Sequence, residues 1–249
     1  EPAHRIQHAR TEAPPRREPT KAAPATAPVL TPAAELERDL VGVTSRERIL
    51  DLTQQAAQFF KDHYQDSAAR QYLEERLKTG LTDHPTIVVG YAPAGSRLVQ
   101  HLRRHGATDQ ELIDAGLAKP AQGGGVIDVF RDRLMFGIHT SQGELVGFVG
   151  RTLTTNPRVP KYLNTPTTRA FHKSEVLFGL PEYQNLITAG ADLVRVEGPF
   201  DALAITLATG GRAVGVAPLG TALTEQQAHT IANQRVRVWE ATDTDAAGQ

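Results

Sequence analysis

The chain has no cysteine in its 249 residues, which removes disulfides and every thiolate zinc site, including the four-ligand modules often joined to nucleic-acid enzymes. No apolar run reaches the roughly 18 residues of a membrane helix, and the N-terminus lacks the apolar core of a signal peptide. A cytoplasmic protein with no membrane partner is therefore expected. An excess of either charge is missing too. Lysine and arginine number 27 against 28 acidic residues, for a formal net charge of -1, so any basic surface suited to a polyanion must be local. Methionine occurs once, at Met135, and the first residue is Glu1, which leads us to expect a start downstream of the natural one. What is present, 40% hydrophobic and 22% charged residues, suits one or two domains with a real core.

Residues 1–42 are rich in proline, alanine, threonine and arginine without apolar periodicity, a composition that cannot offset chain entropy and reads as a disordered linker. Its alternative, a basic arm built on Arg5, Arg10, Arg16 and Arg17, is diluted by Glu12 and Glu18. Residues 43–185 are expected to form an α+β N-terminal subdomain, with helices first and a basic strand-rich segment after them. Apolar residues from Ile49 to Tyr64 and from Tyr72 to Leu77 recur at helical spacing, with Thr44 or Ser45 as N-cap. Short helices are expected over 98–105 and 109–115, ending at Gly106 and Gly116. Runs at 133–138 and 144–149 around Ser141-Gln142-Gly143 carry a hairpin signature. Residues 186–249 then alternate strand and helix, the cue for an α/β domain with a mostly parallel sheet.

In open parallel sheets, ligands gather beyond the carboxyl ends of the strands, and two strands deliver acids there. One ends at Val196 before Glu197-Gly198, with Asp201 one turn on; the last runs into Asp243-Thr244-Asp245. In an extended segment Asp243 and Asp245 project to the same side. Carboxylates this close repel unless a cation joins them, and an all-oxygen set suits Mg²⁺ or Mn²⁺. Such an ion would orient a triphosphate and neutralise its charge. Upstream, Arg131, Arg133, Arg151, Arg158, Lys161, Arg169 and Lys173 fall in a segment with few acids, a local positive strip that suits nucleic-acid phosphates, with Tyr162 or Phe171 available to stack on bases.

Val196-Glu197-Gly198, Asp201, Leu219-Gly220-Thr221 and Asp243-Thr244-Asp245-Ala246-Ala247-Gly248 resemble the TOPRIM domain shared by primases, topoisomerases and some nucleases. Tyr72-Leu73-Glu74-Glu75-Arg76, Gly90-Tyr91-Ala92-Pro93, Phe130 to Phe136, Gly150-Arg151, Pro160 to Pro166 and Phe171-His172-Lys173 resemble, in order, the catalytic core of DnaG-type DNA primases. The resemblance spans about residues 48–249. It implies synthesis of short RNA primers on a single-stranded DNA template from ribonucleoside triphosphates during replication, with a replicative helicase as partner through a region outside this chain. It further implies that Glu197, Asp201, Asp243 and Asp245 hold the metal, Glu197, Asp243 and Asp245 being catalytic. Lys173, Lys161 and Asn164 would bind nucleotide, and Arg76, Arg131, Arg133, Arg151 and Lys161 would bind DNA.

The match has departures. The family usually has proline at Gly137, glycine at Val149 and tyrosine-methionine at Pro199-Phe200, and a further acidic pair lies beyond the stretch ending at Gln249, so a TOPRIM domain truncated at its C-terminus is expected. Glu240 is unusual in a strand and is read as an exposed edge residue. His101 and His105 have helical metal-ligand spacing but no evident third ligand, and Gly123-Gly124-Gly125 is not followed by the lysine of a phosphate loop. A TOPRIM nuclease or topoisomerase-like enzyme accounts for the C-terminal half alone. A non-catalytic single-stranded DNA-binding accessory protein of a mobile element would keep the fold without turnover.

Overall fold

The computed structural model describes residues 43–82, 84–220 and 222–241; the expected linker, Thr221, Asp243 and Asp245 lie outside them. Helices α1 (Arg46–Asp62) and α2 (Ala68–Leu77) come first. Ser45 and Ser67 cap them by accepting from the Arg48 and Arg70 amides. Thr44, the other candidate cap, instead donates to Asp114, whose carboxylate also accepts the Val43 and Thr44 amides. Strand β1 (Val89–Ala92), helices α3 (Arg97–Arg104) and α4 (Asp109–Asp114), and the small ribbon β2 (Ala118–Pro120) with β3 (Val126–Asp128) follow. The expected hairpin is β4 (Arg133–His139) and β5 (Leu145–Thr152), and with β6 (Tyr162–Asn164) it completes an antiparallel sheet in the order β1-β4-β5-β6.

The second sheet contains β7 (Leu177–Phe178), β8 (Asp192–Arg195), β9 (Ala213–Pro218) and β10 (Val238–Glu240), in the order β10-β8-β9-β7. Helices α5 (Gln184–Thr188), α6 (Pro199–Ala208) and α7 (Glu225–Ala232) lie between its strands in sequence. β8 pairs in parallel with both β9 and β10, whereas β7 pairs antiparallel with β9. The sheet is thus mixed, and it begins upstream of residue 186, where a two-residue strand offers no alternation to read. Glu240 is exposed and paired with Arg195.

One apolar cluster runs through both sheets. Phe60 of α1 meets Phe148 of β5 edge to face at 5.2 Å, and Phe136 of β4 meets Phe178 of β7 at 5.9 Å. Two glycines let a helix pack closely on a strand. A Cβ on Gly90 would stand 2.6 Å from Phe60 Cβ, and one on Gly215 would overlap the backbone of Ala202 in α6. The subdomains are also tied by polar groups: His139 Nδ1 lies 2.8 Å from Glu182 Oε1, and Glu182 Oε2 accepts the Gly179 amide at 2.8 Å. No helix among the described residues is long and apolar enough to cross a membrane.

Each helix–strand contact leaves no room for a methyl group. Gly90→Ala and Gly215→Ala should each destabilise the protein by about 1–3 kcal/mol, read from denaturant midpoints. Gly123→Ala, whose Cβ would meet nothing within 4 Å, should change stability by less than about 0.5 kcal/mol.

Candidate functional site

The site forms where β6 of the first sheet reaches the carboxyl end of β8 in the second. Strand β5 presents Arg151, which pairs with Tyr162 across the β5–β6 ladder. The Arg151 guanidinium donates to Tyr72 Oη at 2.7 Å. It also lies over three rings, 5.4 Å from Tyr72, 5.4 Å from Tyr162 and 5.8 Å from Phe200. These rings come from α2, β6 and α6, so a single cation joins the helical, basic and acidic parts of the chain. Cation–π attraction of this kind is strongest where water is scarce. Phe200 is itself fixed edge to face by Tyr72 at 5.6 Å and Phe136 at 5.6 Å.

Tyr162 faces the acids. Its ring and hydroxyl lie 3.4 Å from the place a Cβ on Gly198 would occupy, as does Asp201 Oδ2. Burial pushes the Tyr162 phenol up to about 12; Arg151 pulls it down and Asp201 pushes it further up. Glu197 and Asp201 are exposed on either side of Gly198, at the end of β8 and in the first turn of α6. The β10–β8 pairing is parallel, with Glu240 opposite Arg195 and the Ala241 amide donating to Arg195 O. Both strands therefore finish at the same end of the sheet. Exposed carboxylates there, with no thiolate or imidazole among them, are a donor set that fits a hard divalent cation. Among the described residues no three His, Asp or Glu side chains form a ready metal group, and this includes His101 and His105, whose rings stack at 4.4 Å.

The other expected site residues have different settings. Lys161 is exposed, its Nζ 5.8 Å from the Tyr162 ring. Asn164 donates from Nδ2 to Leu219 O at 2.5 Å, holding the turn after β9, and its buried Oδ1 has no partner among the described residues. Lys173 is exposed on a loop held from behind by buried Gln227, whose Nε2 donates to Lys173 O at 3.0 Å. Arg76 is exposed in the last turn of α2.

Two expectations need correction. Arg133 is 5% exposed, and its guanidinium donates to Gly150 O at 2.9 Å and Pro160 O at 3.1 Å. Burial lowers its pKa, Arg131 adding to that. It is a buried brace and is not presented to a polyanion. Asp132 has φ 51°, which breaks the strand alternation that would have put Arg131 and Arg133 on one face. Phe171 is 1% exposed and cannot stack on a base.

Exposed Arg131 lines a cavity of about 460 Å³ with Lys119 and Arg158, and buried Arg133 contributes to its wall, over a floor that includes Val129, Val159 and Leu163. The only acid there, Asp132, accepts from Tyr91 Oη at 2.8 Å. Sequence reasoning missed Lys119, since nothing local links a residue of β2 to the later strip. It also missed Tyr72 and Phe200 as supports of Arg151, although their aromatic character was the available signal. A larger cavity, about 610 Å³, lies beside β1 and includes Lys61, His84, His139 and Glu182, but none of the expected site residues.

Residues 57–184 match the family model for the N-terminal domain of the DNA primase catalytic core, and residues 194–249 match a Toprim-like model. The DNA primase of Synechococcus elongatus is 40% identical over 199 residues, covering 78% of this chain and 28% of that protein. That of Deinococcus radiodurans is 41% identical over 180 residues, covering 71% of this chain and 30% of that protein. The chain thus spans about three-tenths of the length of these curated relatives. Among solved structures, the RNA polymerase domain of the Mycobacterium tuberculosis primase DnaG aligns with TM-score 0.71 and 34% identity, over 82% of this chain and 68% of that one. A DnaG primase catalytic domain bound to single-stranded DNA aligns with TM-score 0.70 and 30% identity, over 82% of this chain and 63% of that one.

The two neighbouring arginines should separate cleanly. Arg133→Ala leaves the Gly150 and Pro160 carbonyls without their charged donor and should cost about 2–4 kcal/mol of stability. Exposed Arg131→Ala should cost less than about 0.5 kcal/mol, both read by chemical denaturation.

Proposed function

Because this chain belongs to the family of the DNA primase catalytic core, we propose that it joins ribonucleoside triphosphates into short primers on single-stranded DNA during replication. The observation that carries this reading is the Tyr162 junction, which sets the Arg151 face of the first sheet against the Glu197 and Asp201 end of the second. Primer synthesis needs a sequence-tolerant grip on template phosphates beside an acidic site that handles a triphosphate. Arg151, Lys161 and Arg76, with Arg131, Arg158 and Lys119 at the 460 Å³ cavity, supply the grip. Lys173 holds the incoming triphosphate, and Lys161 and Asn164 line the nucleotide cleft.

Glu197, Asp201, Asp243 and Asp245 would hold Mg²⁺ or Mn²⁺, which supplies charge neutralisation and Lewis acidity when bound. By holding that cation the carboxylates would favour the transition state of attack at the α-phosphate, whereas the basic residues bind ground state and transition state alike. The relatives are named DNA primases, which supports a nucleotidyltransferase, and a cytoplasmic setting goes with that reading. A helicase partner would bind through parts of the protein beyond this chain.

Acid and basic variants should therefore separate in the full-length protein. Glu197→Gln or Asp243→Asn should cut primer synthesis, measured as labelled nucleotide incorporation on single-stranded template, by roughly two orders of magnitude or more, with DNA affinity within about twofold. Arg151→Ala combined with Lys161→Ala should weaken DNA binding and reduce its log–log salt slope by roughly 0.7 for each phosphate no longer neutralised. Near-normal synthesis by either acid variant, or strand cleavage without incorporation by the unaltered protein, would refute the reading.

A further inference from the structure

Arg151 meets the cleft with a guanidinium that is held by a neutral oxygen. Among the described residues its one side-chain hydrogen bond runs from Nη2 to Tyr72 Oη, at 2.7 Å. The three rings around it, those of Tyr72, Tyr162 and Phe200 at 5.4 to 5.8 Å, attract the charge over a broad range of angles. They fix where the guanidinium lies but not which way its planar fork turns. A hydrogen bond is directional, so the Tyr72 hydroxyl is the contact that sets the orientation of the fork.

Other arginines of the first subdomain are oriented differently. Arg133 spends its donors on the Gly150 and Pro160 carbonyls and is buried. Arg46 and Arg48 are held by carboxylates, those of Glu144 and Glu111. A carboxylate beside Arg151 would orient it as well, but it would cancel the charge that attracts a phosphate. A phenol orients the fork, leaves the charge uncompensated and spares the remaining N–H donors for an anion.

Tyr72 also stands on the right side of its helix. Ala69 and Leu73 are the buried residues of α2, whereas Tyr72 is half-buried and Arg76, four residues on, is exposed. The phenol and a second cation therefore share one stripe of the helix. The Tyr72 ring packs edge to face on Phe200 at 5.6 Å, and that packing needs only the ring. The oxygen serves Arg151.

We propose that Tyr72 is a positioning residue: its phenol oxygen holds the Arg151 guanidinium in the orientation that meets a phosphate in the cleft, so that the two residues act as one unit on the single-stranded template. That the phosphate belongs to a template rests on the primase reading; the coupling of Tyr72 to Arg151 does not.

The test is Tyr72→Phe in the full-length protein, which keeps the ring contact with Phe200 and removes the oxygen. Affinity for single-stranded DNA at low salt should fall roughly tenfold, the lower end for loss of a hydrogen bond to a charged group. The log–log salt slope should drop by roughly 0.7, the share of one phosphate no longer neutralised. In an Arg151→Ala background the same substitution should change affinity by less than about twofold, because the group it positions is gone. Primer synthesis should show a raised KM for template with kcat at saturating template within about twofold. Unchanged affinity and slope, or an equal loss in both backgrounds, would overturn the coupling. A fall in kcat with KM unchanged, or a Tyr72→Phe protein that circular dichroism shows to be unfolded, would give the oxygen another role and overturn it too. If the unaltered protein bound single-stranded DNA but made no primer, the primase reading would fail, and the two-background comparison would still decide the coupling.

Discussion

The Arg151 guanidinium is the constraint on which the arrangement of the site depends. It touches rings from α2, β6 and α6 and donates to one of their hydroxyls, so the positions of three segments are set by one charge. A cation can serve two purposes only if its solvation is partly replaced. Three π faces and one hydroxyl do that for Arg151, which keeps it half-buried and leaves it charged beside the cleft. Phe200 shows the dependence in the other direction. Its ring is held by Tyr72 and Phe136, so the start of α6 is set by the packing of the first sheet.

The contrast between Arg151 and Arg133 shows how one residue type divides its labour. Arg133 gives its donors to two backbone carbonyls and lies in the interior. Gly150 makes the space for it, since a Cβ there would stand 2.9 Å from Arg133 Cδ and from a ring carbon of Phe130. The Gly150-Arg151 pair therefore works as a unit: the glycine admits the brace beneath the sheet and the arginine faces the cleft. A count of positive residues along the strip cannot distinguish these roles, because the distinction is made by the left-handed Asp132 and by which carbonyls fall within reach.

Much of the architecture was legible because it rests on local periodicity. The apolar spacing of Ile49, Leu52, Ala56, Phe59 and Phe60 is the buried face of α1, and the turn at Ser141-Gln142-Gly143 joins β4 to β5. The strand–helix alternation expected after residue 186 returns as β8, α6, β9, α7 and β10. Motif order pointed to Arg151, Lys161, Asn164, Glu197 and Asp201; the structure sets Arg151, Lys161 and Asp201 near Tyr162, Asn164 against the turn at Leu219, and Glu197 exposed beside Gly198. What could not be read depends on long-range partners. Two-residue β7 has no pattern, the burial of Arg133 follows from one backbone angle, and Lys119 reaches the cavity beside Arg131 only through the β2–β3 ribbon.

The long-range partners also explain why the acidic end of the second sheet is not positioned by the second sheet alone. β7 pairs with β9 although it precedes α5 in sequence, and Glu182 binds His139 and the Gly179 amide. Asn164 holds the turn at Leu219, and Gln227 of α7 reaches back to the carbonyls of Lys173 and Val176. These contacts tie strands and helices of the second sheet, or the loop that carries Lys173, to residues earlier in the chain. A buried polar group satisfied only by a partner far along the chain costs about 1–3 kcal/mol when that partner is removed. The two segments therefore hold one another in register, and the end of β8 is seated against β6 where Tyr162 meets Gly198.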